Sequence, residues 1–424
     1  MKENTHGIHT HTLGTAVLTL LFIVCFLMNS GYAFILVDGR LTLASLLVCA
    51  IVTFFMWVMK KQYVYKRFYT NPLVILSVAI FVVMLVHFDF GAWGSYARQI
   101  FVLLTAVMFA MSVPYAVFAR VFIRFMKLVT VLAIIVWVII NVLHITLPFP
   151  IITGNSDSYY NQYYCGFLVF VNTYSTMRLM GPFWEPGVYA SMTVIALLLQ
   201  PSLTDSPKET SRFTTIILVV GILLSFSTAG YILMIAVLIM RAIQKCGRKF
   251  SPLISVCLFA VLLFVLLFAE DLILLLADWM PTVFGKMTSN SFSLTTRLNG
   301  PLVDLSIFIQ EPLFGAGMSQ YLMLWPTVAQ QLAVQSRTSS ITYFMANYGV
   351  FGILYFVALL KATLLQKNST LLVRLFLLGI LAAILTKEPQ YVNLLTCTVI
   401  AYLMRGELFT TGVWRGNLEH RQEI

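Results

Sequence analysis

The chain has 424 residues, of which 60% are hydrophobic and only 10% are charged. A mean hydropathy of +0.90 excludes an ordinary soluble domain and indicates a membrane protein. The net charge of +11 would suggest nucleic acid as the partner of a soluble protein. In a membrane protein, however, basic residues collect in the cytoplasmic loops. We therefore expect contact with membrane lipid and no nucleic-acid partner.

Apolar runs close to the ~20 residues that cross a hydrocarbon core recur along the chain. They predict one integral membrane domain over residues 1–424, all-α and polytopic, with about twelve transmembrane helices. The first run resembles a signal peptide, but a second follows at once without a convincing cleavage site, so we interpret it as an uncleaved span. The predicted spans are 13–29, 41–59, 72–87, 99–118, 128–147, 186–202, 213–225, 227–243, 252–275, 341–360, 370–386 and 389–404.

The distribution of basic residues predicts the orientation. With both termini in the cytoplasm, 20 of the 27 lysines and arginines fall on the cytoplasmic side, as the positive-inside rule requires. The remaining seven need another explanation; they are Arg40, Arg98, Arg178, Lys286, Arg297, Arg337 and Lys387.

Two outside loops are long, one over about 148–185 and the other over about 276–340. The usual connection has only ~4–6 residues, and much longer loops are commonly functional. Within the second loop we expect a short helix that ends at Pro312 and a glycine turn. The stretch YLMLWPTVAQQLAV that follows predicts an amphipathic helix along the membrane interface.

The outside loops contain Arg178, Lys286, Arg297 and Arg337. Arginine keeps its charge and presents a planar fork of donors that fits phosphate oxygens. As a group, these residues favour binding of an anionic headgroup such as a lipid-linked diphosphate. Any single one of them has an alternative in a nearby carboxylate or an ordinary lipid phosphate.

The stretch RLMGPFWEPGVYA, residues 178–190, interrupts the apolar pattern. Pro186 and the acidic Glu185 suit a helix start, which explains their position without any function. Glu185 and Tyr189 would share one helix face. A carboxylate at a boundary between lipid and water is also a candidate general base. At the tip of the hairpin SFSTAGY, Ser227 and Thr228 would either bind substrate or satisfy backbone groups.

Several catalytic motifs are missing from the sequence. It has no phosphate-binding glycine loop, no paired acidic motif for Mg²⁺, no Gly-x-Ser-x-Gly elbow and no metal-type cysteine spacing. We therefore expect a chemistry that uses arginines and needs neither a metal nor a cofactor.

Four stretches between 178 and about 356 together resemble the O-antigen polymerase (Wzy) family of bacterial integral membrane glycosyltransferases. RLMGPFWEPGVYA is similar to that family's Arg-x-x-Gly-x-Phe-x-Glu-Pro-Gly-x-x-Ala pattern and is the most specific of the four. The others are SFSTAGY, TTRLNGPLVDLSIFIQEPLFGAG and NYGVFGILYF. The rest of the chain matches in hydropathy alone.

The resemblance implies a GT-C-type fold at the periplasmic face of the bacterial inner membrane. It implies polymerisation of undecaprenyl-diphosphate-linked repeat units into O-antigen or capsule, with a flippase and a chain-length regulator as possible partners. Arg178, Arg297 and Arg337 would hold the donor diphosphate, and Glu185 would activate the acceptor hydroxyl. We add Lys286, Tyr189, Ser227 and Thr228 as further candidates for substrate contact.

Three other roles stay open, and one of them is a purely structural subunit, against which the cluster of Arg178 and Glu185 argues. The O-antigen ligase shares the fold but carries a functional histidine in its long loop, whereas no histidine lies here between His144 and His420. A transporter of lipid-linked sugars or small molecules would place its substrate groups near the membrane midplane. Most predicted spans of this chain lack central charges, which favours chemistry at the outside face.

Overall fold

The computed structural model describes residues 19–24, 29, 39–59, 68–146, 148–153, 162–166, 168–200, 212–246, 291–387, 393–406 and 408–409. The predicted span 252–275 and Lys286 lie outside these residues. Arg297 is described by its backbone alone.

The described residues are mostly helical. A helical stretch at 19–24 comes first, and 3₁₀ turns at Phe90–Ala92 and Gly349–Gly352 lead into longer helices. The described helices are α1 (Gly39–Met59), α2 (Pro72–Val86), α3 (Trp93–Ser112), α4 (Tyr115–Asn141), α5 (Pro186–Leu199), α6 (Arg212–Leu224), α7 (Thr228–Cys246), α8 (Ser291–Gln310), α9 (Gly317–Gln331), α10 (Ser340–Tyr348), α11 (Ile353–Leu364), α12 (Leu371–Lys387) and α13 (Leu394–Leu403).

Four helical stretches in the described part of the chain are long and apolar enough to cross a membrane. They are Thr42–Met59, Phe90–Ser112, Tyr115–Asn141 and Ser340–Leu364. Six shorter apolar helices of 10–17 residues lie at other predicted spans. The chain therefore has the helices of a membrane protein, while the number of twelve spans and their orientation stay predictions.

Several helix starts fall within one residue of the predicted ones because local signals define them. Asn71 accepts a hydrogen bond from the amide of Leu73 and so caps α2, which begins with Pro72. Pro186 opens α5 in the same way, since its missing N–H would have no helical partner there.

The structure corrects the predicted position of the break between α3 and α4. Three basic residues predict a loop near 119–127, but the chain breaks at Val113 instead. Val113 is extended because a residue before proline is disfavoured in the helical region, and Pro114 then precedes α4. The three basic residues, which are all good helix formers, lie inside α4; they are Arg120, Arg124 and Lys127.

A small sheet in the 148–185 loop also departs from the prediction, because the sequence predicts only helices. Strands β1 (Ile151–Thr153), β2 (Gln162–Cys165) and β3 (Phe170–Asn172) are antiparallel in the order β1-β2-β3. Tyr163 in β2 pairs with Ile152 on one side and Asn172 on the other. Strands of three or four residues inside a polar loop are too short for their alternating pattern to be recognised.

Eleven of the thirteen described helices pack in three groups, and the other two pack against them: α11 contacts α2 and α13, and α12 contacts α7. α1, α2 and α13 surround α3, whereas α4, α6 and α7 surround α5. Every residue of α5 is buried, as expected for a helix that is apolar on all sides. α8, α9 and α10 pack on one another and form the third group.

The predicted glycine turn of the second long loop is confirmed, but the helix before it is longer than predicted. α8 has 20 residues and ends shortly before Pro312, and Gly315 and Gly317 take φ angles of +71° and +68°. A side chain on Gly315 would collide with the backbone of Asn347 and Tyr348. Glycine therefore lets this turn approach the end of α10 closely.

Candidate functional site

The 178–190 segment is held between the small sheet and the hairpin of α6 and α7. The amide of Phe170 in β3 donates to the carbonyl of Gly181 at 2.7 Å, and the amide of Leu179 donates to the carbonyl of Leu224 at 2.9 Å. Gly181 has a φ of +55°, and Phe183 is fully buried. The segment is therefore fixed from both sides before it enters α5.

Arg178 lies at the tip of this hairpin. Its Nε donates to the carbonyl of Ser225 at 3.4 Å, and its Nη2 donates to the carbonyl of Phe226 at 3.3 Å. Both carbonyls follow the last turn of α6, where a helix leaves acceptors unsatisfied and a positive charge is favourable. Arg178 thus caps α6 with a side chain that is only half-buried.

The structure brings the hairpin candidates to the same place. Ser227 is 5% exposed, and its hydroxyl accepts a hydrogen bond from the amide of Gly230 at 3.3 Å. This contact supports the start of α7, which is the structural role that the sequence left open for this serine. Thr228, the first residue of α7, is half-buried.

Glu185 is the residue before α5, and its backbone carbonyl accepts the amide of Tyr189 at 3.2 Å. Among the described residues, its side chain makes no capping hydrogen bond to this helix. Its charge acts instead on Tyr163: burial raises the pKa of the Tyr163 hydroxyl, and the charge of Glu185 raises it further. That hydroxyl donates to the carbonyl of Trp184 at 3.1 Å, so Tyr163 joins the sheet to the segment beside Glu185.

Tyr189 lies in the core rather than at a binding surface. It is fully buried, its hydroxyl is 2.9 Å from the Thr130 hydroxyl in α4, and it packs against Gly221 in α6. A position four residues after Glu185 shares its helix face, but α5 is covered on all faces. We therefore remove Tyr189 from the candidate site.

A second polar cluster joins α8, α9 and α10 around Asp304. One carboxylate oxygen accepts the Tyr321 hydroxyl at 2.8 Å, and the other accepts the Thr342 hydroxyl at 2.8 Å. Asp304 is 3% exposed. Burial raises its pKa to about 7, although the two hydrogen bonds and the charge of Arg337 act in the opposite direction.

Arg337 belongs to this second cluster. Its guanidinium carbon lies 5.8 Å from the centre of the Tyr321 ring and 5.7 Å from that of Trp325, which are cation–π distances. The side chain is half-buried. Asp304 and Trp325 were missed by the sequence reasoning. The available signal was a single acid within the apolar run GPLVDLSIFIQ.

The structure describes less of the other two basic candidates. Arg297 lies in α8, one turn before Pro301 and two turns before Asp304, and only its backbone is described. Lys286 lies outside the described residues. The contacts of Arg337 run to α8 and α9, so the described candidates form two clusters, one around Arg178 and Glu185 and one around Asp304 and Arg337.

Asp89 fixes the start of α9 on the turn between α2 and α3. It accepts hydrogen bonds from the Tyr96 hydroxyl and from both the amide and the hydroxyl of Ser319. Burial alone would raise the pKa of Asp89, but these hydrogen bonds outweigh it and lower the pKa below its usual value. The Tyr96 hydroxyl also accepts the amide of Met318 at 2.8 Å.

A scan against protein-family models finds no match to this chain. Neither the curated proteins nor the solved structures include a significant match. A functional assignment therefore depends on the residues of the chain itself.

Proposed function

We propose that the protein is a metal-independent glycosyltransferase that polymerises undecaprenyl-diphosphate-linked repeat units at the periplasmic face of the bacterial inner membrane. The product would be an O-antigen or capsule polysaccharide.

The exposure pattern of the 178–190 segment carries this proposal. Ten of its thirteen residues are buried; Arg178, Trp184 and Glu185 alone among them are partly exposed. Charged groups stay at a surface whatever their role, because burying an unpaired ion is costly. The feature that supports the proposal is that this cation and this carboxylate lie seven residues apart in one otherwise buried segment whose backbone is held from both sides. The segment therefore presents both groups from a rigid backbone.

In the proposed reaction, the bond between the donor sugar's anomeric carbon and the diphosphate oxygen breaks. A bond from the acceptor sugar's oxygen to that carbon forms, through an oxocarbenium-like state. Undecaprenyl diphosphate leaves with the bonding electrons, and Arg178, Arg297 and Arg337 stabilise its negative charge. Glu185 accepts the proton of the attacking hydroxyl.

The test is reconstitution of the purified protein in vesicles with lipid-linked repeat units, followed by gel analysis of the glycans. We expect the wild type to form a ladder, and Arg178→Ala and Arg337→Ala to leave single repeat units. Arg124→Ala is the matched control, because Arg124 is an exposed arginine of α4 that is not among the candidate site residues. Undiminished ladders from both test variants would contradict the diphosphate role.

Because Arg178 also caps α6, its alanine variant needs a check on folding. Arg178→Lys keeps the charge but loses the bidentate fork. We expect it to fold like the wild type, judged by its thermal unfolding midpoint, and still to polymerise far more slowly. Glu185→Gln tests the base separately, and full turnover by this variant would reduce Glu185 to a helix-start residue.

The same vesicles separate the alternative functions. Transfer of glycan only to lipid A-core would indicate a ligase. Movement of the lipid-linked substrate across the bilayer without a new glycosidic bond would indicate a transporter.

A further inference from the structure

Asp304 is the point at which α8, α9 and α10 are joined by side chains. Its two carboxylate oxygens each accept one hydroxyl, from Tyr321 in α9 and from Thr342 near the start of α10. At 3% exposure the carboxylate has little access to substrate. Any effect of Asp304 on a reaction must therefore pass through the residues that it holds.

The Tyr321 ring is fixed by its surroundings. The ring is fully buried, its hydroxyl is bound to Asp304, and it packs edge-on against Tyr343 at 5.3 Å between ring centres. A ring held at its hydroxyl and at its edge cannot tilt without breaking a contact. Tyr321 is therefore a rigid support for whatever lies on its face.

Arg337 lies on that support. In the described part of the chain its guanidinium is held by the rings of Tyr321 and Trp325 and by the charge of Asp304, without a hydrogen bond. The segment that carries it is fixed nearby, because the amide of Gln335 donates to the Thr296 hydroxyl and Asn299 donates to the carbonyl of Leu332. The guanidinium is thus positioned by ring faces, while its N–H groups are kept for a ligand.

We propose that Asp304 is a positioning residue that sets the location of Arg337 by fixing the Tyr321 ring. The inference rests on the proposed function in one respect, namely that Arg337 acts on the departing diphosphate. The arrangement costs Arg337 none of its N–H donors, whereas a direct ion pair with a carboxylate would occupy them.

Ionisation of Asp304 supports the same arrangement. With a pKa near 7, the carboxyl changes charge close to neutral pH. Among the side chains that the structure describes, the groups that face it are Arg337, Tyr321 and Thr342, with Tyr343 one ring further away. The ionised carboxylate attracts Arg337 and accepts both hydroxyls, so protonation on the acidic side of pH 7 weakens the hold on Arg337.

The test measures the freedom of Arg337 directly. Purified protein in detergent is treated with phenylglyoxal, and mass spectrometry gives the modification rate of Arg337 relative to that of Arg178 in the same molecule. We expect Tyr321→Phe, which keeps the ring but loses the bond to Asp304, to raise this ratio about tenfold. Asp304→Ala should raise it at least as much.

Two further variants separate positioning from general loosening. Ser306→Ala removes a half-buried hydroxyl whose hydrogen bond, among the described residues, goes to the carbonyl of Leu302 in the same helix, and it should leave the ratio unchanged. In the wild type the ratio should rise as the pH falls through about 7. Asp304→Asn, which resembles the protonated form, should remove this pH dependence.

Equal ratios in the wild type, Tyr321→Phe and Asp304→Ala would overturn the inference, as would a pH dependence that persists in Asp304→Asn. The labelling uses no substrate and therefore does not depend on the proposed reaction. A failure of polymerisation with the expected labelling pattern would overturn the proposed function alone.

Discussion

Neutral groups orient four of the ionisable side chains in the described part of the chain, and two of these, Asp304 and Arg337, also attract each other. Backbone carbonyls hold Arg178, aromatic rings hold Arg337, and hydroxyls hold Asp89 and Asp304. A neutral partner orients a charge without cancelling it. At this scale, the two arginines are suited to meet an anion, while the charge state of the buried Asp304 makes stability depend on pH.

The Asp304 carboxyl makes stability depend on pH in an unusual direction. Its folded pKa of about 7 exceeds the ordinary 3.8, so between these values the folded protein keeps a proton that the unfolded chain has lost. The unfolding free energy therefore falls as the pH rises through this window and levels off above about 7. Asp304→Asn abolishes this loss.

As the pH rises from about 5 to about 8, the unfolding free energy of the wild type should fall by about 2–3 kcal/mol more than that of Asp304→Asn. Thermal unfolding midpoints in detergent at several pH values measure the difference. Parallel curves for the two proteins would show that Asp304 has an ordinary pKa.

At the scale of elements, α5 determines how the 178–190 segment is presented. Tyr189 projects from α5 into the junction with α4 and α6, and its hydroxyl meets Thr130. Gly221 in α6 leaves room for that hydroxyl, because a side chain at this position would collide with both Tyr189 and Thr130. The absence of a side chain on α6 therefore permits the close packing that fixes the start of α5 and hence Glu185.

Gly221→Ala is expected to destabilise the protein by about 1–3 kcal/mol, because it overpacks this junction. Tyr189→Phe removes the colliding hydroxyl, so the double variant should lose less stability than the sum of the two single variants. Thermal unfolding of the four proteins measures this coupling.

Gly379→Ala is the matched control for that series. Gly379 lies within α12, and nothing lies within 4 Å of an added side-chain carbon. Replacement of a helical glycine without a clash should stabilise the protein by about 0.5–1 kcal/mol. A cost at Gly379 equal to that at Gly221 would show that the collision with Tyr189 is not the cause.

At the scale of the whole molecule, a buried polar network ties the α8–α10 group to α3. Gln99 in α3 donates to the Tyr343 hydroxyl at 2.8 Å and accepts the Tyr348 hydroxyl at 2.6 Å. Tyr343 in turn contacts the sulfur of Met318 at the start of α9. An unsatisfied polar group in an apolar interior is costly, so these hydrogen bonds fix helices α8–α10, and with them the segment that carries Arg337, against α3.

Gln99→Leu should therefore loosen the α8–α10 group as a unit. Leaving two buried hydroxyls without their partner costs about 2–4 kcal/mol, and Tyr348→Phe in the Gln99→Leu background should recover part of this loss. Hydrogen exchange is expected to accelerate in 317–331 and 340–348 and to stay unchanged in α5. Uniform acceleration over the described helices would instead indicate global destabilisation.

The sequence by itself determined the membrane-protein character, most helix positions and the turn after α8. Those features depend on local signals, namely apolar run length, prolines and glycines, and nearby residues are enough to create them. The prediction was wrong at α3 and α4, where basic residues inside α4 were interpreted as a loop between two spans. It also failed at the small sheet, where strands of three or four residues are too short to show a period.

The tertiary structure alone decided which side chains meet. Gln99 and Tyr343 are 244 residues apart, and Asp89 and Ser319 are 230 apart, so no local pattern links them. The burial of Tyr189 likewise follows from packing between helices, as does the contact of Asp304 with the tyrosine that Arg337 lies over. The residues that are capable of catalysis or ligand binding can be read from the sequence. Their partners, exposure and charge state are set by contacts that exist only after the chain has folded.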